Sequence, residues 1–256
     1  MACDETRHYS HDYPKLIRRW RSVARDAGLV MKKFAEADGY PLYTLGPRRR
    51  QPVRRGWYLS AGIHGDEPAS TEGLIDWAET HTDGLAALPV RIFPCLNPWG
   101  LAGNLRCDAD GRDLNRCFDR QRMPPQLQAW TAIIADDTYR MTLHLHEDYD
   151  AQGIYVHETT LQRAPVWIVD PFFAAAGRVI PADRRPKIEG RAFRNGIMQR
   201  RLTPDLWKWG SPEAFYLATQ HGGHAITFET PSEFSLTRRV AAQSAFLDAA
   251  FAWMQT

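Results

Sequence analysis

The chain is poor in cysteine, and its four residues of that type, Cys3, Cys95, Cys107 and Cys117, contain no C-x-x-C pair. That argues against a disulfide scaffold, a zinc ribbon and a thioredoxin-like motif. Cys107 and Cys117 bracket C-D-A-D-G-R-D-L-N-R-C, which admits a zinc or disulfide role, but reduced thiols are the simpler expectation. No apolar run approaches the roughly 18 residues that a membrane-spanning helix needs. The N-terminal M-A-C-D-E-T-R-H-Y-S lacks the apolar stretch of a signal peptide, so a cytoplasmic location is expected. Excess charge is also missing: Lys+Arg 32 against Asp+Glu 30 leaves +2, too little to imply a nucleic-acid partner. The arginine runs at Arg48-Arg49-Arg50, Arg54-Arg55, Arg184-Arg185, Arg200-Arg201 and Arg238-Arg239 have no interleaved aromatics and read as solvated faces. Internal repeats, low-complexity segments and interdomain linkers are absent.

What remains is material for a large core. With 44% hydrophobic and 24% charged residues in 256, one α/β domain is the expectation. Leu16, Ile17, Trp20 and Val23-Ala24 are spaced for one face of a helix from Tyr13 to Ala27, stopped by Gly28. Extended pieces at Leu29–Ala35 and Tyr40–Leu45 flank E-A-D-G and suggest a hairpin, so residues 1–56 read as an N-terminal helix and hairpin. From Trp57 onward, strands alternate with helices, which predicts a mixed, largely parallel central sheet with helices on both faces. The expected strands are Trp57–Ala61, Val90–Cys95, Arg140–Leu145, Gly153–Val156 and His224–Phe228. The expected helices are Pro68–Thr80, Pro125–Asp136, Ser211–Gln220 and Leu236–Met254.

Ligands in such sheets bind at the carboxyl ends of strands, so the residues placed there carry the functional reading. After the first strand comes G-I-H-G-D-E, with His64 and Glu67 in H-x-x-E. After the second comes Asn97-Pro98 and a polar loop holding Arg106, Asp113, Asn115 and Arg116. L-H-L-H-E-D supplies His144 and His146, and Glu229 follows the last strand. His64 and Glu67 can face one metal ion, and two histidines with one glutamate form an established zinc set. Strand alternation puts residues 144 and 146 on one face, so both remain open as the third ligand, with His146 nearer the strand end. Taken alone, His64 could equally cap the turn and Glu67 stabilise a helix N-terminus.

The motifs A-G-I-H-G-D-E, N-P-W-G-L-A-G-N-L-R-C-D-A-D-G-R-D-L-N-R, L-H-E-D and T-F-E-T-P resemble those of the zinc carboxypeptidase superfamily, in the same order. The nearest types are its compact bacterial metallocarboxypeptidases and the succinylglutamate desuccinylase/aspartoacylase branch. The resemblance implies a carboxypeptidase-like fold, one zinc ion on His64, Glu67 and His146, and Glu229 as general base. It implies further that Arg106 stabilises the oxyanion and that Asn115 and Arg116 hold a substrate carboxylate. A guanidinium fork suits the last role physically, although Asp113 could simply pair with Arg112 or Arg116 across the loop. One departure stands out: the family often reads D-L-H where this chain has His144-Leu145-His146, so an acidic neighbour of the metal ligand is replaced.

The implied activity is a metallohydrolase, most simply a metallocarboxypeptidase acting on a peptide. An N-acyl amino acid deacylase is the alternative. The basic residues between Pro181 and Ser211 would suit acidic substrates. Tyr149, Tyr155 and Tyr216 are candidate assisting tyrosines that no motif separates. Neither a nucleic-acid nor a membrane partner is implied, and the sequence leaves the oligomeric state open.

Overall fold

The expected apolar stripe of the first helix is present in the computed structural model, which describes residues 10–47, 52–119, 123–203 and 212–255. Helix α1 (Tyr13–Asp26) buries Leu16, Ile17, Trp20, Val23 and Ala24, and the Asp12 carboxylate caps it by accepting from the Lys15 amide at 2.8 Å. The hairpin that follows joins β1 (Val30–Ala37) to β2 (Tyr40–Gly46) through Asp38 and Gly39. Both turn residues have positive φ, 54° and 80°, as a two-residue turn matched to strand twist requires. Arg54 and Arg55 are exposed, as expected, whereas Cys3, Arg48-Arg49-Arg50 and Ser211 lie outside the described residues.

The remaining elements, in order, are β3 (Gly56–Ser60), α2 (Pro68–Thr80), α3 (Thr82–Ala87), β4 (Val90–Phe93) and α4 (Pro98–Gly103), with a 3-10 turn at Leu114–Arg116. Then come α5 (Pro125–Ile134), β5 (Tyr139–Asp148), β6 (Tyr155–Thr160), α6 (Asp170–Ala176), β7 (Lys187–Ile188), β8 (Arg191–Ala192) and β9 (Ile197–Arg201). The chain closes with α7 (Glu213–Gln220), β10 (His224–Pro231) and α8 (Leu236–Met254). Eight strands form one mixed sheet in the order β1-β2-β4-β3-β5-β10-β6-β9, with β4, β3, β5 and β10 parallel at its centre. The expected α/β class is therefore observed.

Two boundaries differ in a way that matters. Strand β5 runs through His146-Glu147-Asp148, and β10 runs through Glu229 to Pro231, because these residues pair with each other in parallel register. The site residues are thus the last rungs of a ladder rather than the first residues of loops. The sequence also gave no sign of β7 and β8, two residues each, or of the polar edge strand β9.

The two faces of the central strands bury different material. Trp57, Leu59, Leu143, Leu145, Ile226 and Phe228 pack under α1, α2 and α8 in the main core. Alternate residues face the other way, where Tyr58 and Phe93 meet Leu127 and Trp130 of α5 and Leu217 of α7. Ser60, His144 and His146 share that second face, so the polar end of the sheet opens beside a core of aromatics. Among the described residues no helix is long and apolar enough to cross a membrane.

Candidate metal centre

The turn after β3 is built by two glycines with separate jobs. Gly62 has φ 61°, and a side chain there would press on Thr71 and Cys95. Gly65 lies against the backbone of Gly100, where an added Cβ would come within 1.9 Å of a carbonyl carbon. The chain can therefore fold tightly over α4, and it brings His64 and Glu67 to the same point. Glu67 occupies the position before α2 but makes no capping bond with its side chain, so the helix-stabilising alternative does not describe it. The amide of Ala69 instead donates to Glu147 at 2.6 Å, and Glu147 is also paired with Arg239.

The Glu67 carboxylate stands between two imidazoles. His64 Nδ1 lies 2.5 Å from Oε1 and His146 Nδ1 lies 2.9 Å from Oε2. All three residues are buried. Their ligand atoms lie within 4.8 Å of one another, the one such His/Cys/Asp/Glu group found among the described residues. The donor set, two nitrogens and a carboxylate with water-poor surroundings, fits a zinc ion. Cys95, Cys107 and Cys117 are free and stand outside this group.

Electrostatics mark the same cluster. Burial opposes charge on His64, but Glu67 and Asp113 outweigh it and raise its pKa to about 9. Burial works against the Glu67 carboxylate too, yet His64 and His146 hold it well below the carboxylate range. Burial likewise opposes charge on His146, and Glu67 and Glu229 raise its pKa nonetheless.

Asp113 is the residue whose part at this centre sequence reasoning missed. It pairs with neither Arg112, which bonds Asp108 at 2.7 Å, nor a loop partner without consequence. Its Oδ1 meets His64 Nε2 at 3.1 Å and accepts from the Asn115 amide at 2.9 Å, while Oδ2 accepts from Arg106 Nη2 at 3.1 Å. One carboxylate thus orients a metal-ligand candidate, the candidate oxyanion arginine and the turn carrying Asn115. The D of D-L-N-R was the available signal. The acidic neighbour expected at position 144 is therefore supplied by position 113, although to the other histidine.

Arg106 also reaches Glu67 at 3.5 Å, so its guanidinium lies at the cluster. The half-buried Asn115 and the exposed Arg116 sit on the 3-10 turn, with Arg116 Nη1 donating to the Asn115 carbonyl at 3.0 Å. Glu229 stands opposite His146 on one side and Tyr155 on the other. Burial, with a smaller opposing pull from His146 and further pushes from Glu67, Glu189 and Asp148, raises its pKa well above that of an ordinary glutamate. Tyr155 donates to Asp148 at 3.0 Å, Tyr149 is exposed, and Tyr216 packs against Trp130 in the second core.

His144 is not part of the cluster. Its Nδ1 lies 3.1 Å from both Ser60 Oγ and Glu213 Oε2, and its Nε2 lies 2.9 Å from Thr142 Oγ1. Of the two histidines left open by strand parity, only His146 joins the cluster.

Known proteins share this architecture. Residues 54–150 match the succinylglutamate desuccinylase/aspartoacylase catalytic domain, a stretch that includes His64, Glu67, Arg106, Asp113, Asn115, Arg116, His144 and His146 but not Glu229. No curated protein matches the chain. A Shewanella denitrificans OS217 protein provisionally named a metallopeptidase superposes with a TM-score of 0.83 at 18% identity, over 95% of this chain and 91% of that one. A metallo-carboxypeptidase from Burkholderia cenocepacia gives 0.67 at 20%, over 97% and 70%. The murein-tripeptide amidase MpaA from Escherichia coli O157 gives 0.55 at 17%, over 88% and 90%. The chain has a carboxypeptidase-like fold, the one its motifs resemble. Within that fold, its segment from β3 to the end of β5 is similar to the catalytic domain of the desuccinylase/aspartoacylase type.

Proposed function

We propose that the protein is a zinc-dependent hydrolase that cleaves a C-terminal amide bond of a peptide or peptide-like substrate. The observation that carries this reading is the convergence of His64 Nδ1, His146 Nδ1 and the Glu67 carboxylate beside Glu229 on the adjacent strand. His64, Glu67 and His146 would hold the zinc ion, which would supply an activated water and polarise the scissile carbonyl.

The chain's own groups supply the rest. Glu229 accepts the proton of the attacking water and delivers it to the leaving nitrogen, a cycle helped by burial, which raises the carboxylate's affinity for a proton. Arg106 turns from its acidic partners to the developing oxyanion. Asn115 and Arg116 hold the substrate's terminal carboxylate through charge-assisted bonds.

A second reading, an N-acyl amino acid deacylase, is favoured by the domain type that residues 54–150 match. Both reactions use the same groups and differ in what lies beyond the scissile bond. The basic segment expected to favour acidic substrates is partly neutralised: Arg185 is bound to Asp183 at 2.5 Å, and Glu189, at the β7–β8 turn, lies near enough to raise the Glu229 pKa.

Metal analysis together with a panel of N-acyl dipeptides and N-acyl amino acids, each with acidic, neutral and basic side chains, tests the assignment. About one zinc per chain and chelator-sensitive turnover are expected. Glu229→Gln should retain the metal and lose about 10²–10⁴-fold in kcat. A Glu229→Gln enzyme as fast as the parent removes Glu229 from the mechanism.

A further inference from the structure

The second buried polar cluster, around His144, ends on a residue that the reading above assigns to substrate. The Glu213 carboxylate accepts from the Tyr58 hydroxyl, from Ser60 Oγ at 3.0 Å and from His144 Nδ1 at 3.1 Å. His144 is itself braced by Thr142, and Tyr58 by the indole N–H of Trp130 at 2.9 Å. All these side chains are buried and come from β3, β5 and α5, so the carboxylate is anchored to the sheet. The same residue's backbone N–H, at the first position of α7, donates to Asn115 Oδ1 at 2.9 Å.

That last bond has a chemical consequence. A carboxamide has an acceptor half and a donor half, and a substrate carboxylate needs the donor. With its oxygen committed to the Glu213 N–H, Asn115 presents its NH2. The flipped amide would set NH2 against N–H and lose the bond altogether.

We propose that Glu213 is a positioning residue for carboxylate recognition: through Ser60, Tyr58 and His144 it fixes the start of α7 to the sheet, and through its N–H it locks the Asn115 carboxamide with the donor half toward substrate. The proposal rests on the reading of Asn115 as a carboxylate holder. It adds a second support for Asn115, independent of Asp113, which holds only that residue's backbone.

Steady-state kinetics of the zinc-loaded full chain tests it, using the best peptide of the panel as its free acid and as its C-terminal amide. Glu213→Gln turns one acceptor oxygen into a donor facing donors. It should raise KM for the free acid roughly tenfold, about one charge-assisted hydrogen bond. kcat should change less than threefold on the same scale of reasoning, with zinc content intact and KM for the amide unmoved. Tyr58→Phe, which removes one donor and keeps the ring, should shift KM the same way by a smaller factor, and it carries the test if Glu213→Gln does not fold. Asn115→Ala should abolish the effect of Glu213→Gln in the double variant. Additive effects in that double variant, equal losses on acid and amide, or an unchanged KM in Tyr58→Phe overturn the proposal. An Asn115→Ala enzyme with unchanged KM for the free acid overturns the carboxylate reading beneath it.

Discussion

Two buried clusters of histidine and glutamate lie on one face of the sheet, at positions 144 and 146 of the same strand, yet they do opposite things. Around His144 every atom has a matched partner: three donors meet the Glu213 carboxylate, and Thr142 meets the far nitrogen. Around His146 and His64 the matching fails: both Nδ1 atoms converge on Glu67, and His64 has a second carboxylate, Asp113, at its Nε2, whereas a neutral imidazole has a single N–H to give. The first cluster is complete without a ligand; the second calls for a cation. A buried histidine beside a glutamate is therefore no evidence for a metal site until its donors and acceptors have been matched.

Breaking the first cluster should produce the largest effect. His144→Ala leaves the buried Glu213 carboxylate short of a partner and should cost about 3–5 kcal/mol in denaturant unfolding, with zinc stoichiometry unchanged. Loss of zinc in that variant would merge the two clusters and undo the comparison.

His146→Ala should do the reverse. Removing one of three protein ligands should weaken zinc binding by about 3 kcal/mol, a share of the roughly 10–16 kcal/mol of a structural zinc site. Zinc should then raise the melting temperature less than it does in the parent. A full zinc-induced shift in His146→Ala would return the third ligand to His144.

Asp113→Asn keeps the shape but removes the charge that orients His64 Nε2. Zinc affinity should fall about 10–100-fold, read by competition with a chelator. Unchanged affinity would reduce Asp113 to a loop brace.

The effects of pH separate the clusters by direction. Burial opposes ionisation of Glu213, but His144, with Tyr58 and His146 behind it, prevails, and its folded pKa lies below the usual 4.5. Its contribution to stability is thus complete above that value and is lost as pH falls through the lowered one. His64 in the metal-free protein has the opposite sign: its stabilisation is complete below 6.5 and is lost as pH rises through about 9. Zinc must displace that proton, so its affinity should climb between those values by up to about tenfold per unit. A flat calorimetric profile there would show that His64 binds no proton that the metal displaces.

Much of the site was legible because it is local. H-x-x-E with its two glycines is a strand-to-helix turn whose residues meet regardless of the rest, and the α2 and α8 boundaries matched their expected limits. Tyr58 and Trp57, or His144 and Leu145, could be assigned to opposite faces from alternation alone. Less legible were residues whose roles depend on long-range partners. Glu213 belongs to none of the motifs, although it bonds to residues 153 and 155 positions away. Asp113 reaches His64 across 49 residues. Strand β9, with exposed arginines at its end, shows no pattern because an edge strand buries little.

By itself the sequence determined which residue types could make a metal centre and that a parallel α/β sheet would gather them at its strand ends. It left both His144 and His146 open, since period-two alternation gives both the same face, and favoured His146 for its place nearer the strand end. Only the tertiary structure parted them. Strand β3 ends at Ser60, level with His144, which is therefore covered and paired; His146 lies one rung beyond, where β3 has turned away at Gly62 and Glu229 of β10 is the neighbour. Strand length, set by packing across the whole sheet, decided which of the two histidines meets His64 and Glu67.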